Sequence, residues 1–192
     1  DTLGGQRNQL VLGMSGDFGS DQFTQDSQPA EFTSDRATIG IGNFEPETAA
    51  STRNQYFGLY FADTLELGAD WSLSVSGRYN VARVKILDES GESSELNGVN
   101  TFRRFNPAVG VTYSPSEHLT AYAAYNEGTR APTALELTCA DPEAPCKLPN
   151  NFLADPPLEQ VVAKTVEIGA RGRASPALQW SAALYRTELD ND

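Results

Sequence analysis

From Trp71 to Ala82 apolar and polar residues alternate. Trp71, Leu73, Val75, Gly77, Tyr79 and Val81 fall on one face of an extended chain, and Ser72, Ser74, Ser76, Arg78, Asn80 and Ala82 on the other. Successive side chains of a strand point to opposite faces, so this period predicts a strand over Trp71–Leu87 with one greasy and one wet side. Such a strand does not fit a dry sandwich core on both faces; it fits a sheet wetted on one side only. The same period recurs in Asn8–Gly19, where Leu10, Leu12 and Met14 alternate against Gln9, Val11 and Gly13, and in Gln55–Leu67, where Phe57, Leu59 and Phe61 share a face. Phe105–Tyr113, Leu119–Asn126, Thr165–Gly172 and Leu178–Leu189 complete about seven predicted strands. Pro107 lies near the start of its strand, where a missing donor is easier to accommodate.

The connections alternate in length as well. Leu67–Asp70, Ser114–Glu117 and Ala174–Ala177 are short, whereas Asp21–Arg53, Asp88–Thr101 and Gly128–Gln160 are long, the first with a short strand excursion at Ala37–Gly42. Short turns at one rim and long loops at the other are the layout of an outer-membrane barrel, and Trp71, Tyr113 and Trp180 stand where one interfacial aromatic girdle belongs. An antiparallel water-soluble sheet can show the same alternation by chance, so the layout supports, without deciding, the predicted fold: all-β, an antiparallel up-and-down transmembrane β-barrel segment with short periplasmic turns and long extracellular loops. About seven strands are too few, and of the wrong parity, for a bacterial single-chain barrel, so the expected parent barrel is larger.

Composition changes this picture little. Of 192 residues, 39% are hydrophobic and the mean hydropathy is -0.41, lean for a packed globular core. No run approaches the ~20 apolar residues of a membrane helix, which argues against a helical membrane protein but not against a barrel, whose alternating strands average to a mild hydropathy. Asp1–Gly5 has neither the charged nor the apolar region of a signal peptide. A net charge of -12 argues against a nucleic-acid partner, which calls for clustered Lys and Arg.

The densest motif runs from Tyr125 to Arg173. A strand ends in Tyr-x-x-Gly-x-Arg-Ala-Pro (Tyr125, Gly128, Arg130, Ala131, Pro132), Glu136-Leu137 follows, and a Pro-rich loop leads to Pro157-Leu158. The returning strand then carries Glu167-x-Gly169-x-Arg171. In this order the pieces resemble the barrel of a TonB-dependent outer-membrane receptor, most specifically between Phe105 and Leu184. The resemblance implies that residues 1–192 are part of such a barrel domain, without counterparts here of the plug domain or the segment that contacts TonB. It implies energised uptake of a scarce nutrient across the outer membrane of a Gram-negative cell, a ferric siderophore or similar metal chelate, and no enzymatic activity. Its implied partners are the TonB complex acting through a plug, the nutrient, and outer-membrane lipid and lipopolysaccharide. No cofactor or metal site is expected. The rival readings are a passive outer-membrane barrel or autotransporter translocator, and a soluble secreted adhesin.

Candidate ligand-contacting residues are Arg103, Arg104, Arg130, Glu136 and Lys147, cations and one carboxylate at or beside the long-loop rim. Arg103 and Arg104 stand at a loop–strand junction, suited to an anionic ligand or a lipid phosphate, or simply to the rim. Cys139 and Cys146 are the only cysteines. A disulfide is expected in an exported loop, with zinc binding and free thiols as alternatives. Six of the eleven prolines (Pro132, Pro142, Pro145, Pro149, Pro156, Pro157) lie in this loop and reduce its entropy, as suits a shaped ligand-sensing or capping loop, or one merely folded over the rim. His118 lies near Ser114 and Ser116, but no nucleophile elbow accompanies them.

Overall fold

A computed structural model describes residues 2–91, 94, 97–138 and 158–191. Seven long strands form one antiparallel meander: β2 (Gln6–Ser27), β5 (Glu45–Leu67), β6 (Trp71–Asp88), β7 (Gly98–Ser116), β8 (Leu119–Arg130), β9 (Val161–Ser175) and β10 (Leu178–Asp190). A two-residue β1 (Thr2–Leu3) flanks β2, giving the order β1-β2-β5-β6-β7-β8-β9-β10. Between β2 and β5, β3 (Ala30–Phe32) and β4 (Thr38–Gly40) form a separate hairpin, and a short helix α1 (Ala134–Thr138) follows β8. The sheet is open, because β1 and β10 do not pair with each other.

The strands are longer than the hydrophobic pattern predicts. Of the expected loop from Asp21 to Arg53, the first part extends β2 to Ser27 and the last part belongs to β5, in a register that runs from Asp21↔Thr52 to Ser27↔Glu45. Likewise β7 begins at Gly98, inside the expected loop Asp88–Thr101, and β8 passes through Gly128 to Arg130 instead of breaking there. The physical reason is common to all three. Where both faces of a strand are wet, no apolar stripe marks it, yet the ladder continues because each backbone group still finds its partner across the strand pair. The expected excursion at Ala37–Gly42 is the strand β4.

The two faces separate as expected. Cross-strand partners lie on one face of the sheet, so the registers place Leu10, Phe61, Val75, Tyr79, Val109, Ile168 and Leu184 together on the outer side. Several of these remain exposed, Leu184 at 74% and Ile168 at 54%, as befits a surface that faces lipid. At the short-turn rim Trp71 pairs with Tyr113 and the rings stack 4.4 Å apart. On the inner side Gly169 lies beneath the Tyr122 ring, where any side chain on Gly169 would collide with it. Toward the long-loop rim the inner face of β6 turns apolar, and Ala82, Val84 and Ile86 are buried there, with α1 against the strand.

Candidate functional site

β8 cannot continue past Pro132, which offers no N–H and holds Ala131 away from helical geometry. The chain turns inward instead and starts α1 on a capping box. Thr133 is the N-cap: the Glu136 N–H donates to Thr133 Oγ1 at 3.3 Å, and the Thr133 N–H donates back to Glu136 Oε2 at 2.7 Å. Arg130 Nη1 reaches both carboxylate oxygens of Glu136, at 3.0 and 2.9 Å. The Arg-Ala-Pro-Thr-x-x-Glu run is thus a staple that locks the loop to the end of β8.

The Arg130 guanidinium, followed by the Thr133 N–H, lowers the Glu136 carboxyl from 4.5 to about 2. A depressed carboxyl stabilises the folded form above its unfolded pKa, so the staple should be fully present above about 4.5 and lost as pH falls toward about 2. Amide protection at Thr133, followed through that interval, should fall with the pH. Glu136→Gln should remove most of this dependence while keeping the cap, since Gln also serves at the third helical position. An unchanged pH profile in the variant would contradict the assigned role.

Below the staple, the inner wall is polar and internally bonded. Arg78 donates from Nη2 to Ser15 Oγ at 2.5 Å and from Nε to Asn80 Oδ1 at 2.6 Å, and lies 5.7 Å from the Tyr60 ring centre. Tyr122 donates to Glu167 Oε1 at 2.6 Å. Arg78, Asn80, Phe102, Tyr56 and Arg130 line a cavity of about 440 Å³ on this side.

A seam interrupts the wall between β7 and β8. Their pairing ends at Ala108↔Asn126, beside Pro107, although both strands run on toward the long-loop rim. Side chains take over the closure. Arg104 Nη2 pairs with Glu127 Oε2 at 2.6 Å, and Tyr125 donates to the other oxygen of Glu127 at 2.6 Å. Asn106 Nδ2 donates to Thr129 Oγ1 at 3.1 Å, and Gln160 Nε2 donates to the Arg103 carbonyl at 3.3 Å. Among the described residues, Arg104 Nε and Asn106 Oδ1 nonetheless stay buried without a partner. Burying such atoms unpaired costs free energy, so the seam is a point of polar demand in the wall.

The expected site residues separate accordingly. Arg104 belongs to the seam, and Arg130 and Glu136 to the staple. Arg103 follows Val81 in register and stands on the outer face. Lys147, Cys139 and Cys146 lie outside the described residues. Glu127 and Asn106 escape sequence reasoning, as does the bond that Tyr125, read there only as the start of the motif, makes to Glu127. Their one sequence trace is the i, i+2 spacing of Tyr125 and Glu127, which puts both on one side of β8.

Compared with protein families, residues 2–192 match the family described as TonB dependent receptor-like, beta-barrel. Among curated proteins nothing matches the sequence. Among solved structures the chain is similar to the ferripyoverdine receptor of the outer membrane of Pseudomonas aeruginosa, at 20% identity and a TM-score of 0.73, with 100% of this chain and 24% of that one covered. It is also similar to the alcaligin outer-membrane receptor from Bordetella pertussis (19% identity, TM-score 0.54, 94% and 31% covered). A third is a copper transporter (15% identity, TM-score 0.56, 92% and 26% covered). At these identities the likeness establishes the fold, and the chain spans a quarter to a third of the length of these proteins.

Proposed function

The chain belongs to the TonB-dependent receptor β-barrel family, and from that premise we propose that it forms part of the wall of an outer-membrane receptor that takes up a scarce nutrient, a ferric siderophore or similar metal chelate. The family is one of receptors and transporters, not enzymes. The observation that carries the reading is the stapled loop on the inner side. Arg130 and Glu136 fix its first turn inward, over a polar wall whose cavity is lined by Arg78 and Asn80, with Arg104 held by Glu127 at the seam beside it. Cations on rigid strands suit an anionic chelate, because their rotamers are held before the ligand arrives. On this reading Arg104 contacts ligand or plug, while Lys147 and the loop bearing Cys139 and Cys146 contribute to capture. The TonB complex acts through a plug domain of the intact protein.

In cells that depend on the intact receptor, high-affinity uptake of one ferric siderophore class should disappear when either the receptor or TonB is deleted. Siderophore-bound radioactive iron, counted in each strain, measures this. Uptake that persists without TonB would replace the energised receptor with a passive barrel. The fold alone does not choose the ligand, since a copper transporter has the same architecture, so the assay should be run on a panel of chelates.

A further inference from the structure

Beyond Ala108 and Asn126 the two strands of the seam keep their other neighbours. β7 pairs with β6 up to Gly98↔Ile86, and β8 pairs with β9 up to Arg130↔Val161. The edge between β7 and β8 alone is unzipped there. The side-chain bonds that replace the ladder run through the wall instead of across one face. Arg104 and Asn106 stand on the inner face of β7, opposite Asn80 and Arg78. Glu127 and Thr129 belong to the outer face of β8, because they alternate with Asn126, the inner-face partner of Ala108 and Thr165. Yet Arg104 reaches Glu127 at 2.6 Å and Asn106 reaches Thr129 at 3.1 Å. Inner-face and outer-face side chains meet in this way where the two backbones have parted and left a gap.

The gap has a mouth on each side. Inward, Thr129 and Gln160 line the cavity of about 440 Å³ that Arg78, Asn80 and Phe102 also border. Outward, the Phe105 ring lies over Gly77 of β6, where any side chain on Gly77 would collide with it, so the ring leans away from β8. Ala108, where the gap begins, is five positions above Tyr113 of the aromatic girdle, and Arg104 is nine. At ~3.3 Å per residue and a tilt of ~40°, they lie ~13 and ~23 Å above the girdle, within an apolar band ~25 Å tall. The gap thus joins the lumen to lipid. An unzipped strand edge at that depth calls for partners, since the bilayer core offers none.

The lining calls for one kind of group. Among the described residues Arg104 Nε is an unpaired donor and Asn106 Oδ1 an unpaired acceptor, both buried and two positions apart on one face. An amide supplies a carbonyl for the first and an N–H for the second. We propose that the β7–β8 seam is a slot for an N-acylated ligand. Its amide bonds to Arg104 and Asn106, its polar head occupies the lumenal cavity, and its apolar tail passes outward over Val109 and Phe105, exposed at 45% and 48%, into the lipid. A soluble amide would leave the apolar mouth unused, and a tail without an amide would leave the two polar atoms unpaired. That the acylated ligand is the cargo, a chelate bearing a fatty tail, rests on the uptake reading.

The test uses the intact receptor in lipid vesicles and a photoreactive probe, N-dodecanoylglycine with a diazirine at the end of its tail, with the cross-linked residues mapped by mass spectrometry. Labelling should concentrate on the outer face around Phe105, Val109 and Tyr125. An excess of unlabelled N-dodecanoylglycine should suppress it, whereas N-acetylglycine or dodecanoic acid at the same concentration should not. Arg104→Lys keeps a cation for Glu127 but removes the Nε donor, and should weaken that competition on the order of fivefold, the effect of one net hydrogen bond. Asn106→Val, which removes the acceptor, is the second variant should the first fold poorly. Labelling spread evenly over the outer face would mean bulk lipid contact. Equal competition by dodecanoic acid would leave the two polar atoms to water, and unchanged competition in both variants would remove the amide site; each of these results overturns the proposal. Iron uptake that persists without TonB would overturn the uptake reading and leave the labelling standing, whereas absent labelling beside TonB-dependent uptake would overturn the slot alone.

Discussion

Val109→Arg should destabilise the intact barrel by ~2–4 kcal/mol, the cost of placing a cation on the lipid face near the bilayer midplane. Val109 lies on the outer side between Val75 and Tyr125 in register, and no acid stands opposite it. Val75→Arg at the same height should cost less. Its partner on β5 is Asp63, a carboxylate on the outer face that accepts from Asn8 Nδ2 at 2.7 Å and would offer the new guanidinium a counter-charge. Ser74→Arg should be milder still, because Ser74 occupies the inner, wet face, where its hydroxyl lies 3.1 Å from that of Thr64. Denaturant unfolding of the receptor in lipid vesicles measures all three. The order Val109, Val75, Ser74 is the expected result, and equal costs at Val109 and Ser74 would mean that the faces are misassigned.

Gly172→Ala should lower stability by about 1–3 kcal/mol through overpacking at the short-turn rim. A Cβ on Gly172 would lie 2.5 Å from the His118 carbonyl oxygen and 3.0 Å from the Trp180 indole. The carbonyl cannot step aside freely, because it accepts the Arg173 N–H at 2.9 Å and so belongs to the end of the β8–β9 ladder. Either that hydrogen bond or the Trp180 position must yield. Gly128 provides the control. It lies in the same strand pair, with no described residue within 4 Å of its would-be Cβ. Gly128→Ala should be neutral or slightly stabilising, since it narrows the unfolded ensemble without a clash. Thermal midpoints of the two variants decide, and a Gly172→Ala protein as stable as Gly128→Ala would remove the steric account.

The sequence by itself determined the faces, the turns and the family. Alternation from Trp71 to Ala82 is a local property of the strand, and burial against lipid on one side imposes it residue by residue, so the apolar set can be read before any partner strand is known. The short turns at Leu67–Asp70, Ser114–Glu117 and Ala174–Ala177 are likewise legible, and the order from Tyr125 to Arg171 carries the kinship that the comparison over residues 2–192 establishes. Tertiary structure alone decided where the strands end beyond the membrane. Ser27, Glu45, Gly98 and Arg130 terminate strands that no apolar stripe marks, because only the neighbouring strand's backbone holds them. It also decided the seam and the separation of Arg103 from Arg104. Consecutive arginines look alike in sequence, but the pleat sends one outward toward lipid and the other to Glu127, a partner 23 residues away that only the end of the β7–β8 ladder brings into reach.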